Sequence, residues 1–258
     1  MAEVLNFEHN GITVNATESP EAMGGLGDNV IGLVGTAPKA DPLIPRNAPF
    51  RINSFTTHAL LDPTGSEEGT LYHAVYQILK VVKVPVYVVI VEAGATPADT
   101  VNNVIGGVDP LTGRKLGLAA LGSVPEDLTI IGAPGFTGTK AVAGEFASFG
   151  KRIKARVVLD GKDASVADQV LYSQELGGAD LGFDRCLVVH NMPAVYSKAA
   201  KKNVFLSPSS LAIAALAKVK QWESPGNQVT YAEDVSRVVE YNILDTSTEG
   251  DLLNRYGV

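Results

Sequence analysis

Apolar positions along the chain switch between two periods. Near the start, Ile12, Val14 and Ala16 alternate with Thr13, Asn15 and Thr17, the period of two that turns one face of a strand inward. Gly24, Gly25 and Gly27 then interrupt the pattern, and glycines grouped this way make a flexible joint. Residues 1–27 therefore read as an N-terminal arm and hinge, able to pair with the chain's own sheet or with a neighbour's.

From residue 28 to 258 the pattern predicts one α/β body. Residues 30–35 form a short apolar run ended by Thr36-Ala37-Pro38, and residues 50–55 a second short strand. Leu71, Val75, Leu79 and Val82 recur at helical spacing, which predicts a helix over 69–82. Residues 84–91 follow as a β-branched run apolar on both faces, expected of a central parallel strand covered on both sides. The alternation continues with strands at 128–131, 155–159 and 186–189, a helix marked by Val142, Phe146 and Phe149 to about Arg152, and a helix at 165–174. Ser207-Pro208 places a cap residue before a proline at the first helical position. The helix that follows, to about residue 219, is apolar nearly all round and so predicts burial. Between 94 and 125 the signal weakens into turns, read as a small inserted region with a short helix through Ala119. Alternation of this kind implies a mainly parallel sheet flanked by helices.

Composition narrows the function classes. With 258 residues, 45% of them apolar and 19% charged, the chain can bury an ordinary core. A net charge of −7 argues against a protein built to grip nucleic acid. Lys198, Lys201 and Lys202 read as a solvated turn. The absence of any apolar run near the length of a membrane span, and of an N-terminal signal core, leads us to expect a soluble chain made in the cytoplasm. Cys186 is the lone cysteine, so no internal disulfide forms; it lies in a run that predicts a buried strand and an inert thiol.

Candidate chemistry is sparse. Residues 132–140 follow a strand and open a helix, where backbone N–H groups could cradle a phosphate. The spacing before Lys140 is not that of a nucleotide-binding P-loop, and Pro134 removes a donor, so a plain connection is the better reading. Gly25-Leu26-Gly27 precedes its strand and is no dinucleotide fingerprint. His9, His58, His73 and His190 are far apart and in no metal-ligand spacing. His73 is expected exposed or capping, and His190 hydrogen-bonded at a strand end. Asp160 and Asp163 are expected to cap the next helix. Neither a catalytic set, a cofactor nor a metal is predicted.

Several segments, taken in order, resemble the tail sheath proteins of contractile phages and R-type pyocins. Residues 6–14 are similar to the family's opening strand, and Val30-Ile31-Gly32-Leu33-Val34-Gly35-Thr36-Ala37-Pro38 to its first core strand. Residues 69–91, Ala133-Pro134-Gly135, residues 155–160 and Ser207-Pro208-Ser209-Ser210-Leu211-Ala212 follow in the family's order. Trp222, Ser224, Pro225 and Asn227 resemble its Trp-x-Ser-Pro-x-Asn segment, and Leu253-Asn254 its Leu-Asn pair. The resemblance implies a structural subunit that polymerises helically around a tail tube and contracts to drive the tube through a host envelope. It implies Phe7, Ile12 and Val14 as the inter-subunit arm, with Gly24, Gly25 and Gly27 as its hinge. Implied partners are other copies of the chain and, through the full-length protein, tube, baseplate and terminator proteins, without direct nucleic acid or membrane insertion. The implied location is the virion, assembled in the host cytoplasm. Sheath proteins continue beyond the Leu-Asn pair into a tube-facing domain and a C-terminal arm, so the expectation is a truncated or short relative. The alternatives are a nucleotide- or small-molecule-binding α/β enzyme acting through residues 132–140, and a baseplate or adaptor protein.

Overall fold

A computed structural model describes residues 29–161, 165–177, 185–190, 192–220, 223, 235–237 and 249–256. The central sheet has six strands: β1 (Ile31–Thr36), β2 (Pro49–Ile52), β3 (Val86–Val91), β6 (Ile130–Gly132), β7 (Arg156–Asp160) and β8 (Cys186–Val189), in the order β2-β3-β1-β6-β7-β8. All neighbours pair in parallel except β2, which runs antiparallel along β3. From β1 the chain builds first to one side and then to the other. The carboxyl ends of β1 and β6 therefore flank the point where open α/β sheets form a crevice.

Strand alternation divides the core. Ile31 and Leu33 of β1, with Val86, Val88 and Ile90 of β3, face α2 (Leu71–Val81) and α6 (Pro208–Lys218). Val34, Tyr87, Val89 and Val91 face α3 (Pro97–Ile105), a 3₁₀ segment (Gly117–Ser123), α4 (Lys140–Ile153) and α5 (Val166–Glu175). The two-sided apolar run in β3 is the consequence of helices on both faces. Asn29 fastens the start of β1 to the end of α6, donating to the carbonyls of Ala217 and Val219.

Several expectations are corrected. The second strand stops at Ile52, because Ser54 caps a short helix, α1 (Phe55–His58), in a reciprocal box with Thr57. The weak region 94–125 contains a full helix, α3, started by Thr96, Pro97 and Asp99. A two-residue hairpin of β4 (Gly107–Val108) and β5 (Lys115–Leu116) follows it, and then the 3₁₀ segment. The strand holding Cys186 lies at the sheet edge: Cys186 is half-buried and Leu187 is 40% exposed. A second, antiparallel sheet of β9 (Ala194–Ser197), β10 (Lys202–Phe205) and β11 (Val235–Arg237), ordered β10-β9-β11, was not read from the sequence. Lys198 and Lys201 do sit in its exposed turn. Finally, α7 (Glu249–Arg255) lies against α5, where Ser173 donates to the Tyr256 carbonyl and Leu253 is buried.

Candidate functional site

The enzyme-like loop of residues 132–139 sits at the carboxyl end of β6, and one buried carboxylate occupies its centre. Asp160, the last residue of β7, accepts through Oδ2 from the Gly135 N–H at 2.9 Å and the Thr137 hydroxyl at 2.9 Å. Its Oδ1 accepts from the Ser209 N–H at 2.9 Å and from the Ser207 hydroxyl. Thr137 Oγ1 in turn accepts from the Asp160 N–H at 2.7 Å. Donors that a phosphate would require, from the loop and from the first turn of α6, are directed at an anion the chain itself supplies. Two further loop donors turn inward, Phe136 N–H to the Ala133 carbonyl and Thr139 N–H to that of Phe136.

Asp160 thus caps a helix, but not the expected one. The next helix in sequence, α5, starts with its own Ser165–Asp168 box, while Asp160 reaches α6 across 49 positions of chain. Ser207, predicted to cap α6 directly, makes no side-chain cap bond and gives its hydroxyl to Asp160 instead. Tyr172 on α5 closes the cluster by donating its hydroxyl to the Thr137 carbonyl. Burial is the main cause of its strongly raised pKa, with the neighbouring Asp160 charge adding to it.

Beside this cluster lies a cavity of about 370 Å³. The start of α2, the loop at Pro134 and Gly135, and the β9–β10 hairpin enclose it. Gly69 is obligatory at its rim: its φ is +91°, and a Cβ there would overlap the Thr36 carbonyl oxygen. Thr70 forgoes capping α2 and accepts the Thr36 N–H at 3.2 Å, which ties the helix to the end of β1. Glu67 accepts the Ser197 hydroxyl and stands 3.7 Å from His73 Nε2. His73, expected exposed or capping, is therefore half-buried in this wall. Burial lowers its pKa, opposed by the Glu67 charge. His58 is buried under Tyr72, its Nε2 bonded to the Tyr72 carbonyl at 2.8 Å, and burial likewise lowers its pKa. His190 sits half-buried at the end of β8.

Among the described residues, no three His, Cys, Asp or Glu side chains converge as a metal-ligand set. In the same residues, no helix is long and apolar enough to cross a membrane.

No protein-family model matches the chain. Among curated proteins, the chain is 26% identical over 268 aligned positions to a Pseudomonas aeruginosa (strain UCBPP-PA14) protein described as "Putative prophage major tail sheath protein". The alignment covers 98% of this chain and 66% of the relative. The chain is similar to a tail sheath protein along nearly its whole length. Two solved structures share its fold. One is a chain of the anti-feeding prophage baseplate, with a TM-score of 0.58 and 16% identity, covering 99% of this chain and 64% of that one. The other belongs to the contracted sheath complex of an extracellular contractile injection system, with a TM-score of 0.50 and 15% identity, covering 88% and 54%. The chain thus spans about two thirds of its sheath relative.

Of the arm, hinge and motif residues that the sheath resemblance implied, only Leu253 and Asn254 fall among the described residues. Phe7, Ile12, Val14, Gly24, Gly25 and Gly27 lie outside the described residues, as do Trp222, Ser224, Pro225 and Asn227. Leu253 is buried in α7, and Asn254 belongs to the same helix. The structure instead brings together Glu67, His73, Ser197, Asp160 and Ser207, a grouping absent from the sequence reading. Asp160, His73 and Ser207 each carried a local signal, as a strand-end carboxylate, a helical histidine and a helix cap, while Glu67 and Ser197 carried none.

Proposed function

We propose that the chain is the outer α/β body and N-terminal arm of a contractile-tail sheath subunit, and that its work is assembly and not catalysis. The observation that carries this reading is the 26% identity to a prophage tail sheath protein across 98% of the chain. Conservation of order over that length fits a shared whole-domain role better than a borrowed motif. The Asp160 cluster supports the non-catalytic part, since the anion cradle an enzyme would use is filled from within.

In this reading, residues 1–27 leave the body as an arm whose backbone adds a strand to a neighbour's sheet, and Phe7, Ile12 and Val14 anchor it. Strand addition gains affinity from main-chain hydrogen bonds, while Gly24, Gly25 and Gly27 allow the joint to rotate. A head-to-tail contact that does not close generates a helix of subunits. Contraction is then a rigid-body shift between two packings with the arms keeping subunits linked. Its partners are other copies of itself and, through the complete protein, tube, baseplate and terminator proteins, within a phage-type particle assembled in the bacterial host.

Deletion of residues 1–27 tests the arm directly. The expected product melts like the parent but no longer polymerises; unaltered polymerisation of the deletion variant would sink the arm assignment. Nucleotide titration tests the enzyme alternative, since a ligand bound to the native state must raise its melting temperature. No nucleotide-dependent rise is expected. A baseplate role is the second reading, favoured by the likeness to a chain in a baseplate assembly. Closed rings in place of open tubes would select it.

A further inference from the structure

The cavity beside Asp160 has an electrostatic asymmetry that assembly through the arm does not explain. Among the described residues that line it, only Glu67 and His73 are ionisable, and none is a lysine or arginine. Their side chains are 12% and 16% exposed. His73, whose pKa burial lowers, is mainly neutral at neutral pH and leaves the Glu67 charge uncompensated by its nearest basic neighbour. Ser197 contributes one hydroxyl to that carboxylate.

Glu67 is also held under backbone strain. Its φ is +58°, in the left-handed region that non-glycine residues enter at a cost. The Asp62 carboxylate fixes it there by accepting the Glu67 N–H, together with the Thr64 N–H at 3.1 Å and hydroxyl at 2.6 Å. Burial alone would raise the Asp62 pKa, but these hydrogen bonds hold it below the usual carboxylate range. The loop is thus braced by one carboxylate so as to present another. The rest of the cavity wall is largely apolar, with Ala74, Pro134, Met192, Val204 and Leu206. The first turn of α6 offers an anion little there, because the Ser209 N–H is spent on Asp160 and the Ser210 N–H on the Ser207 carbonyl.

We infer that this cavity binds a primary ammonium group carried on a short aliphatic stem, the head paired with Glu67 and the stem against the apolar wall. Its volume of about 370 Å³ lies in the range of small-ligand pockets. A partly desolvated carboxylate gains more from a cation than an exposed one does, because the local dielectric is low. Two sources carry this chemistry, a free small amine and a lysine side chain of a second copy of the chain.

The test titrates the full chain at about neutral pH with n-butylammonium chloride, using potassium chloride at equal ionic strength and sodium butyrate as controls. Calorimetry is expected to show saturable binding, and at ten times Kd the melting temperature rises by about 3–5 °C. Butyrate gives neither. Glu67→Gln removes the charge yet keeps an acceptor for Ser197, and is expected to lower affinity at least about tenfold. Ala200→Trp, at an exposed turn position on the cavity wall, blocks entry without touching the core. Binding in the parent weakens only as acidification passes through the folded-state pKa of His73, which burial holds below the usual 6.5, because a protonated His73 then supplies the cation itself. Absence of saturable binding, or equal binding by both variants, overturns the proposal. Given saturable binding, sedimentation separates the sources: self-association that the amine releases assigns the second copy's lysine, and unchanged self-association assigns a free amine. Neither result depends on the sheath reading.

Discussion

Asp160 stands at the buried end of β7, and its carboxylate is shared by four donors from two separate segments. A buried carboxylate is tolerated only when it is satisfied in this way. Asp160→Asn keeps the shape but weakens every charge-assisted bond and turns an NH₂ toward groups that donate. The expected loss is about 2–4 kcal/mol of unfolding free energy, read from urea denaturation. His58 and His73 set a second residue-scale expectation. Both folded pKa values lie below the unfolded value near 6.5, so the folded state resists protonation. Their contribution to stability is present above about pH 6.5 and is lost as pH falls through the folded values. Urea midpoints measured from about pH 8 down to about pH 5 should fall below pH 6.5, and a His58→Gln, His73→Gln double variant should flatten that slope. These features were barely legible in the sequence. Glu67, His73 and Ser197 are brought together by long-range packing, and no local spacing encodes a pair 130 positions apart.

At the scale of elements, local signals were legible where burial was two-sided or helical spacing was strong. The strands β1, β3 and β7 were readable because they bury apolar side chains on both faces of the sheet, and the helices α2 and α4 because each packs an apolar stripe against one face. The helix α3 escaped because it buries little: Val104 is its one fully buried side chain, so the apolar stripe is thin. Its start was nonetheless encoded in Thr96, Pro97 and Asp99, a capping signature stronger than the periodicity behind it. The β9–β10 hairpin escaped for a related reason. Tyr196 and Phe205 are both exposed, so alternation does not mark an inner face. Packing of α4 on β7 gives a sharp check. Gly150 lets the helix approach so closely that a Cβ there would overlap Val157 Cγ2. Gly150→Ala should therefore cost about 1–3 kcal/mol despite the better helix propensity of alanine, measured by thermal or urea unfolding. A stabilised variant would mean that α4 does not sit where it is placed.

At the scale of the whole molecule, the described residues form a sheet covered by helices on both faces, with Asp160 holding the loop at its crevice end and a separate small second sheet nearby. In the proposed reading, a crevice loop held by Asp160 suits a subunit that moves as a rigid unit between two packings. The sheath resemblance was legible from ordered segments spread along the chain, and the alignment with the relative, over 98% of this chain, has the same extent. Electron microscopy of the purified full-length protein at increasing concentration tests the central claim most directly. The account predicts open tubes of helically arranged subunits that lengthen with concentration. Closed rings alone, or particles that remain monomeric throughout, would contradict it.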